Sequence, residues 1–229
     1  MRITYLGHAF FVIDTMDTRI VIDPFIVKNK KISLEHRAKY ENADYVMFTH
    51  AHYEHMDLEI MKYCPNATII SNPEICAYLH NKYNLPSIAL NLNEKRFIDC
   101  NTYIARVKAV HNNDIEDNGV KFFAGIASGF IINYVGTSIY HMGDTFLFSE
   151  MKQIQEMFKP QIALVPIGGK RTMDIEEASM AVNSHFNFDL VIPMHYNTFP
   201  YIKADPNEFK KKVNFHNVKI LDIGDRVNV

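Results

Sequence analysis

Apolar residues in this chain fall mostly into short alternating runs, and only a few stretches repeat at helical spacing. Residues 3–23 read as three strands, "ITYLG", "AFFVID" and "RIVID", with "TMDT" as a hairpin connection. A charged stretch, "KNKKISLEHRAKYENA", reads as irregular and leads into the buried strand "YVMFT". A polar cluster follows, then a helix from Asp57 to Tyr63, the strand "ATIIS", and a helix over "EICAYLHNKY" opened by Pro73 in its first turn. From Ser87 to Tyr140 the pattern is strand after strand: "SIALN", "RFID", "YIARVKAV", "KFFAGI", "GFIINYV" and "SIYHM". Helices and strands then alternate through "FSEMKQIQEMF", "QIALVPI", "DIEEASMAVNSHF", "LVIPM", "PNEFKKKV" and "VKILDI". Helices early and late around a strand-rich middle predict a layered α/β arrangement, two packed sheets with helices outside. A doubly wound sheet is not expected, because the middle strands are too many and too close.

Composition narrows the picture only a little. The 229 residues suffice for one large domain or two small ones, and no linker, repeat or low-complexity tract divides them. A single domain over residues 1–229 is expected. A formal net charge of −2 gives no reason to expect nucleic acid or a membrane as partner. The short apolar run before Asp14 is expected to be neither a secretory signal nor a membrane span. Cys64, Cys76 and Cys100 form an odd set without C-x-x-C spacing, which suits buried thiols in a reducing compartment, so a cytoplasmic location is expected.

Eleven histidines against no tryptophan is the compositional oddity that points to chemistry. "THAHYEHMD" places His50, His52 and His55 within six positions, with Glu54 beside the last. Further along, "YIARVKAV" delivers His111, "SIYHMGD" delivers Asp144 and "LVIPM" delivers His195. Every one of these sits in a loop just after a strand. Strand ends hold side chains firmly while the loop varies, so residues from several strands can converge on one rim. Imidazole and carboxylate together suit zinc, iron, manganese or nickel.

The segment H-x-H-x-[acid]-H after an apolar strand resembles the signature of the metallo-β-lactamase superfamily, usually H-x-H-x-D-H. "AVHNND", "YHMGDT" and "IPMHYNTFP" match its later ligand segments in order. "TYLGHAFF", "IVIDPF", "GDTFLFSEM" and "LVPIGGKRTM" are similar to the branch of small metal-dependent hydrolases related to ascorbate-6-phosphate lactonase. The resemblance runs from Ile3 to about Phe209. It implies a four-layer αββα sandwich carrying two divalent metal ions, zinc in the first place, with manganese, nickel and iron as alternatives. His50, His52 and His111 would hold one metal. Glu54, His55 and His195 would hold the second, and Asp144 would bridge both. The implied activity is hydrolysis of an ester, lactone or phosphodiester bond in a small anionic substrate by a metal-bridging hydroxide, with Glu54 and Asp144 as the catalytic carboxylates. Glu54 is the departure, because the family has aspartate there and glutamate reaches one methylene further.

Several other residues have two readings each. Asp23 in "IVIDPF" matches a family acid that orients a ligand histidine, and as Asp before Pro24 it also suits a turn. His8 matches a family position near the pocket and equally suits a core histidine. Tyr196 and Asn197 follow His195 and are candidates to line the pocket. "PIGGKRTM" suits either an anion-binding loop carrying Lys170 and Arg171 or a plain strand-to-helix connection with Asp174 near the helix cap. His141 reads as structural, and His36, His80, His185 and His216 as incidental. Against the hydrolase stands an alternative, a protein of this fold with an impaired second metal site that acts as a redox iron enzyme or a non-catalytic binding protein. A fused flavin or rubredoxin-like segment would favour the redox role, and the sequence has neither. The expected partner is a small-molecule substrate, and a homo-oligomer is compatible with the sequence.

Overall fold

The computed structural model describes residues 1–214 and 217–229; His216 lies outside them. In chain order the strands are β1 (Arg2–Tyr5), β2 (Phe11–Asp14), β3 (Arg19–Ile22), β4 (Tyr45–Met47), β5 (Thr68–Ser71), β6 (Ser87–Ala89), β7 (Lys95–Phe97), β8 (Thr102–Lys108), β9 (Asp114–Asp117), β10 (Val120–Phe123), β11 (Ser128–Tyr134), β12 (Thr137–His141), β13 (Ile162–Pro166), β14 (Leu190–Met194), β15 (Asn217–Val218) and β16 (Arg226–Asn228). The helices are α1 (Pro73–Tyr83), α2 (Met151–Phe158), α3 (Ile175–His185) and α4 (Pro206–Lys212), with single 3₁₀ segments at Leu34–Lys39 and Leu58–Lys62.

The contacts divide the chain into two units. The first comprises Met1–Asn91, Asn112–Ile126 and Leu221–Val229; the second comprises Leu92–His111 and Ala127–Ile220. The first holds a sheet of order β16-β1-β2-β3-β4-β5-β6, antiparallel from β16 to β3 and parallel from β3 to β6. The separate β9–β10 hairpin also belongs to it. The second holds a sheet of order β15-β14-β13-β12-β11-β8-β7, antiparallel from β7 to β12 and parallel from β12 to β15. Each parallel half needs crossovers, and α1 supplies one in the first unit while α2, α3 and α4 supply them in the second. Each unit also has its own apolar core. Phe10, Val46, Phe48, Ile69 and Leu79 anchor the first. Ile131, Tyr140, Val165, Val191 and Phe209 anchor the second.

Local chemistry explains the helix starts. Asn72 caps α1 by accepting from the Ile75 amide at 2.7 Å, with Pro73 in the first turn. Asp174 caps α3 reciprocally with Glu177, so the cap reading of that aspartate holds. In α2, Met151, Ile154 and Phe158 fall on one buried stripe.

Several expectations change. The segment called irregular contains the 3₁₀ turn at Leu34–Lys39, where His36 Nδ1 accepts from the Ser33 amide at 3.1 Å. The helix expected at Asp57–Tyr63 is a 3₁₀ turn. "VKILDI" contributes only the two-residue β15, because at Leu221 the chain leaves for the first unit, where β16 pairs with β1. Cys64 and Cys76 are buried free thiols as expected, but Cys100 is exposed in the turn between β7 and β8. Among the described residues no helix is long and apolar enough to cross a membrane.

Candidate metal centre

The carboxyl ends of parallel strands are where open α/β sheets place ligands, because the strands stop and the loops open there. In the first unit, Asp23 directly follows β3, and Phe48 and Thr49 lead from β4 to the histidine cluster. Asp23 is fully buried and accepts three hydrogen bonds. The Thr49 amide donates to its Oδ1 at 2.8 Å; the Thr49 hydroxyl at 2.6 Å and His55 Nδ1 at 2.8 Å reach its Oδ2. The proton of His55 is therefore fixed on Nδ1, which leaves Nε2 with its lone pair.

The same reasoning settles His50. The Thr49 hydroxyl gives its hydrogen to Asp23, so toward His50 Nδ1, 2.9 Å away, it can only accept. His50 Nε2 thus carries a lone pair, and it faces His52 Nδ1 at 3.0 Å. The other nitrogen of His52 lies 4.0 Å from Asp114 Oδ1, beyond hydrogen-bond range. A proton on His52 Nδ1 or a metal cation between the two nitrogens satisfies this approach. Two nitrogens on one tetrahedral zinc would stand about 3.3 Å apart. The donor set fits a metal.

Ligand atoms of Asp23, His50 and His55 lie within 4.8 Å of one another, all buried. Glu54 is not part of that group. Its side chain is nevertheless buried, and Oε2 has no hydrogen-bond partner among the described residues. A buried carboxylate oxygen without a partner is costly, which again suits a cation. His8 is buried in the turn between β1 and β2, its ring tilted against His55 with centroids 5.1 Å apart.

In the second unit, His111 follows β8, Asp144 follows β12 and His195 follows β14. His111 Nδ1 donates to the Arg171 carbonyl at 2.9 Å, so its Nε2 is the available nitrogen, 3.7 Å from Asp144 Oδ2. His195 Nε2 lies 3.0 Å from the same oxygen. The three side chains are almost completely buried and converge on that carboxylate. Gly143, at φ 65°, makes the turn that brings Asp144 in, and its amide donates to His141 Nδ1 at 3.2 Å, a structural use of that histidine.

The "PIGGKRTM" loop acts on this group through its backbone. Arg171 contributes the carbonyl that holds His111, while the Lys170 and Arg171 side chains are exposed. A Cβ on Gly168 would stand 2.2 Å from the His195 carbonyl oxygen, so only glycine allows this approach. Tyr196 packs partly buried against the second unit's core. Asn197 braces its own loop, donating to the Ala204 carbonyl at 2.9 Å and accepting from the Ala204 amide at 3.1 Å. Neither Tyr196 nor Asn197 is brought to the Asp144 carboxylate by these contacts. Sequence reasoning missed Thr49 and the Arg171 carbonyl. Thr49 carried a signal in its place immediately before H-x-H, whereas a backbone carbonyl carries none.

Comparison with known proteins finds relatives over nearly the whole chain. Residues 2–195 match the model of the Beta-lactamase superfamily domain. The chain is 40% identical over 223 residues to the UPF0173 metal-dependent hydrolase of Nanoarchaeum equitans, covering 96% of this chain and 95% of that protein. It is 34% identical to a counterpart in Staphylococcus epidermidis, covering 99% of each. Among solved structures, Igni18, described as a novel metallo hydrolase from Ignicoccus hospitalis, superposes with a TM-score of 0.88 at 38% identity over 99% of this chain and 97% of that one.

Proposed function

Because this chain belongs to the metallo-β-lactamase superfamily, has its fold and is a metal-dependent hydrolase by its relatives, we propose that it cleaves an ester, lactone or phosphodiester bond in a small anionic molecule. The observation that carries the reading is the His50–His52 pair, with Nε2 and Nδ1 facing each other at 3.0 Å and the outer nitrogen of His50 turned to Thr49. In this proposal His50, His52 and His111 hold one divalent ion, Glu54, His55 and His195 a second, and Asp144 serves both. That assignment across the two units rests on the order of the motifs in the chain and on a family match that runs through both, which also supports treating residues 1–229 as one functional domain. Zinc is the first choice for such nitrogen-rich donors, with manganese, nickel and iron as alternatives. Bound there, the ions would supply Lewis acidity and make hydroxide available from water near neutral pH.

The chain's own groups do the rest. Asp23 keeps the His55 proton on Nδ1, and the Arg171 carbonyl does the same for His111. Glu54 Oε2, buried without a partner among the described residues, would accept a hydrogen bond from the attacking water, and Asp144 would keep the His111 and His195 rings turned inward. The exposed Lys170 and Arg171 suit an anionic substrate. A lactone substrate would follow from the likeness to the ascorbate-6-phosphate lactonase branch. Three free cysteines support a cytoplasmic location.

A second reading has one observation in its favour. Glu54 stands apart from the Asp23–His50–His55 group, as an impaired second site would require in a redox iron or non-catalytic protein. Metal analysis of protein purified without chelator, followed by assays on a lactone panel and bis-p-nitrophenyl phosphate, separates the readings. Two metals and turnover support the hydrolase. Fewer than one metal per chain after reconstitution, with no turnover, sinks it.

A further inference from the structure

The buried side chain of Asn113 lies two residues beyond His111 and joins two segments of the first unit. Its Oδ1 accepts from the Ala51 amide at 2.8 Å. Its Nδ2 donates to the carbonyls of Ala124 at 2.7 Å and Gly125 at 3.1 Å. One donor on the oxygen side and two carbonyls on the nitrogen side leave a single way to orient the amide. Ala51 is the residue between His50 and His52, so Asn113 fixes the peptide plane that links the two imidazoles. Rotation of that plane would move one ring against the other.

The next residue reaches the same loop. Asp114 Oδ1 stands 4.0 Å from His52 Nε2, at the base of the β9–β10 hairpin. The segment leaving the hairpin at this same base, Ala124 to Ile126, is held by Asn113 and also by Asn72, whose Nδ2 donates to the Ala124 carbonyl at 2.6 Å. The Asn72 side chain hydrogen-bonds this segment and the first turn of α1, whereas Asn113 hydrogen-bonds this segment and the His50–His52 loop, so the two asparagines share one carbonyl but differ in their other partner.

We propose that Asn113 is a positioning residue that sets the spacing of the His50 Nε2 and His52 Nδ1 donors by holding the Ala51 amide; this rests on the reading that both histidines are metal ligands. The benefit is pre-organisation, since a shift on the order of 1 Å in a ligand matters to both affinity and alignment. Cobalt(II) titration of the full chain tests it, reading affinity by chelator competition and geometry by the visible absorption bands. Asn113→Ala should weaken binding by about 10-fold or more and change the bands, in the range typical of lost outer partners of metal ligands. Asn72→Ala, which loosens the same hairpin and uncaps α1, should lower the thermal midpoint while leaving affinity and bands as in the unaltered protein. Unchanged cobalt binding in Asn113→Ala, or equal changes in both variants, overturns the inference. If Asn113→Ala does not fold, hydrogen exchange of the Ala51 amide in the unaltered metal-free protein decides: slow exchange supports the clamp, and exchange at the rate of an open amide overturns it. Failure of the unaltered protein to give histidine-type cobalt bands would instead remove the ligand reading, and this inference with it.

Discussion

Asp23→Asn is the most informative single change, because it preserves shape and backbone while altering the protonation of one candidate ligand. Asp23 has φ 45°, a left-handed conformation that asparagine adopts about as readily as aspartate, so the backbone is not disturbed. The carboxylate accepts on both oxygens, whereas a carboxamide offers one acceptor and one donor group. With its oxygen toward the Thr49 amide, the variant would point its NH2 at the Thr49 hydroxyl and His55 Nδ1. His55 would then have to carry its proton on Nε2, the nitrogen proposed to bind metal. With the amide reversed, the NH2 opposes the Thr49 amide in a fully buried place. Either way at least one buried donor loses its acceptor, which costs about 1–3 kcal/mol. For a chain of this length a loss of about 2 kcal/mol lowers the thermal midpoint by about 4–8 °C. Zinc affinity should fall by about 10–100-fold. Thermal unfolding of the metal-free protein and a zinc competition titration measure the two effects separately. A variant that unfolds early yet binds zinc as tightly as the parent would refute the tautomer argument and leave Asp23 a purely structural anchor.

Three further outcomes follow from particular contacts. Gly168→Ala should destabilise by about 1–3 kcal/mol in denaturant titration, because its Cβ would sit 2.2 Å from the His195 carbonyl oxygen; a parental midpoint would mean that the β13 and β14 ends part without resistance. Glu54→Gln should stabilise the metal-free protein by about 1 kcal/mol, since a buried oxygen without a partner loses its charge, and should weaken metal binding; a destabilised metal-free protein with metal binding as tight as the parent's would remove Glu54 from the donor set. Burial pushes the Tyr40 phenol up to about 12 from 10.0, so the folded state holds this proton longer than the unfolded chain. Its contribution to stability is complete below pH 10 and is lost as pH rises through about 12, and urea midpoints that stay level across that window would contradict it.

What could be read in the sequence was whatever leaves a local mark. The strands before His50, Asp144 and His195 are continuous apolar runs, and the ligand types follow them directly, so both the elements and the candidate residues stood out. Asp174 announced itself as a cap through Glu177 three residues on. Pairing is another matter. "VKILDI" alternates like a strand, but nothing local says that residues 219–223 leave one sheet while Arg226–Asn228 join the other beside β1. β9 was hidden because "DIED" has too many acids to look like a strand, and its partner is the only thing that makes it one. Asn113 stood in the quoted segment "AVHNND" without attracting notice, since its role depends on Ala51, sixty-two positions earlier. Side-chain to backbone contacts over such separations have no period to detect.

Three residues of the two donor regions, His8, Asp23 and His195, have positive φ, at 57°, 45° and 55°. Among residues with side chains, Asn, Asp and His tolerate this conformation best, while β-branched residues do so badly. Backbone shape and chemistry therefore favour overlapping sets of residues at the same positions. When relatives are aligned, a histidine or aspartate retained at position 8, 23 or 195 is weaker evidence of retained metal binding than one retained at position 50, 52 or 144. Drift after loss of function should first appear at the latter, where no unusual backbone slows the change.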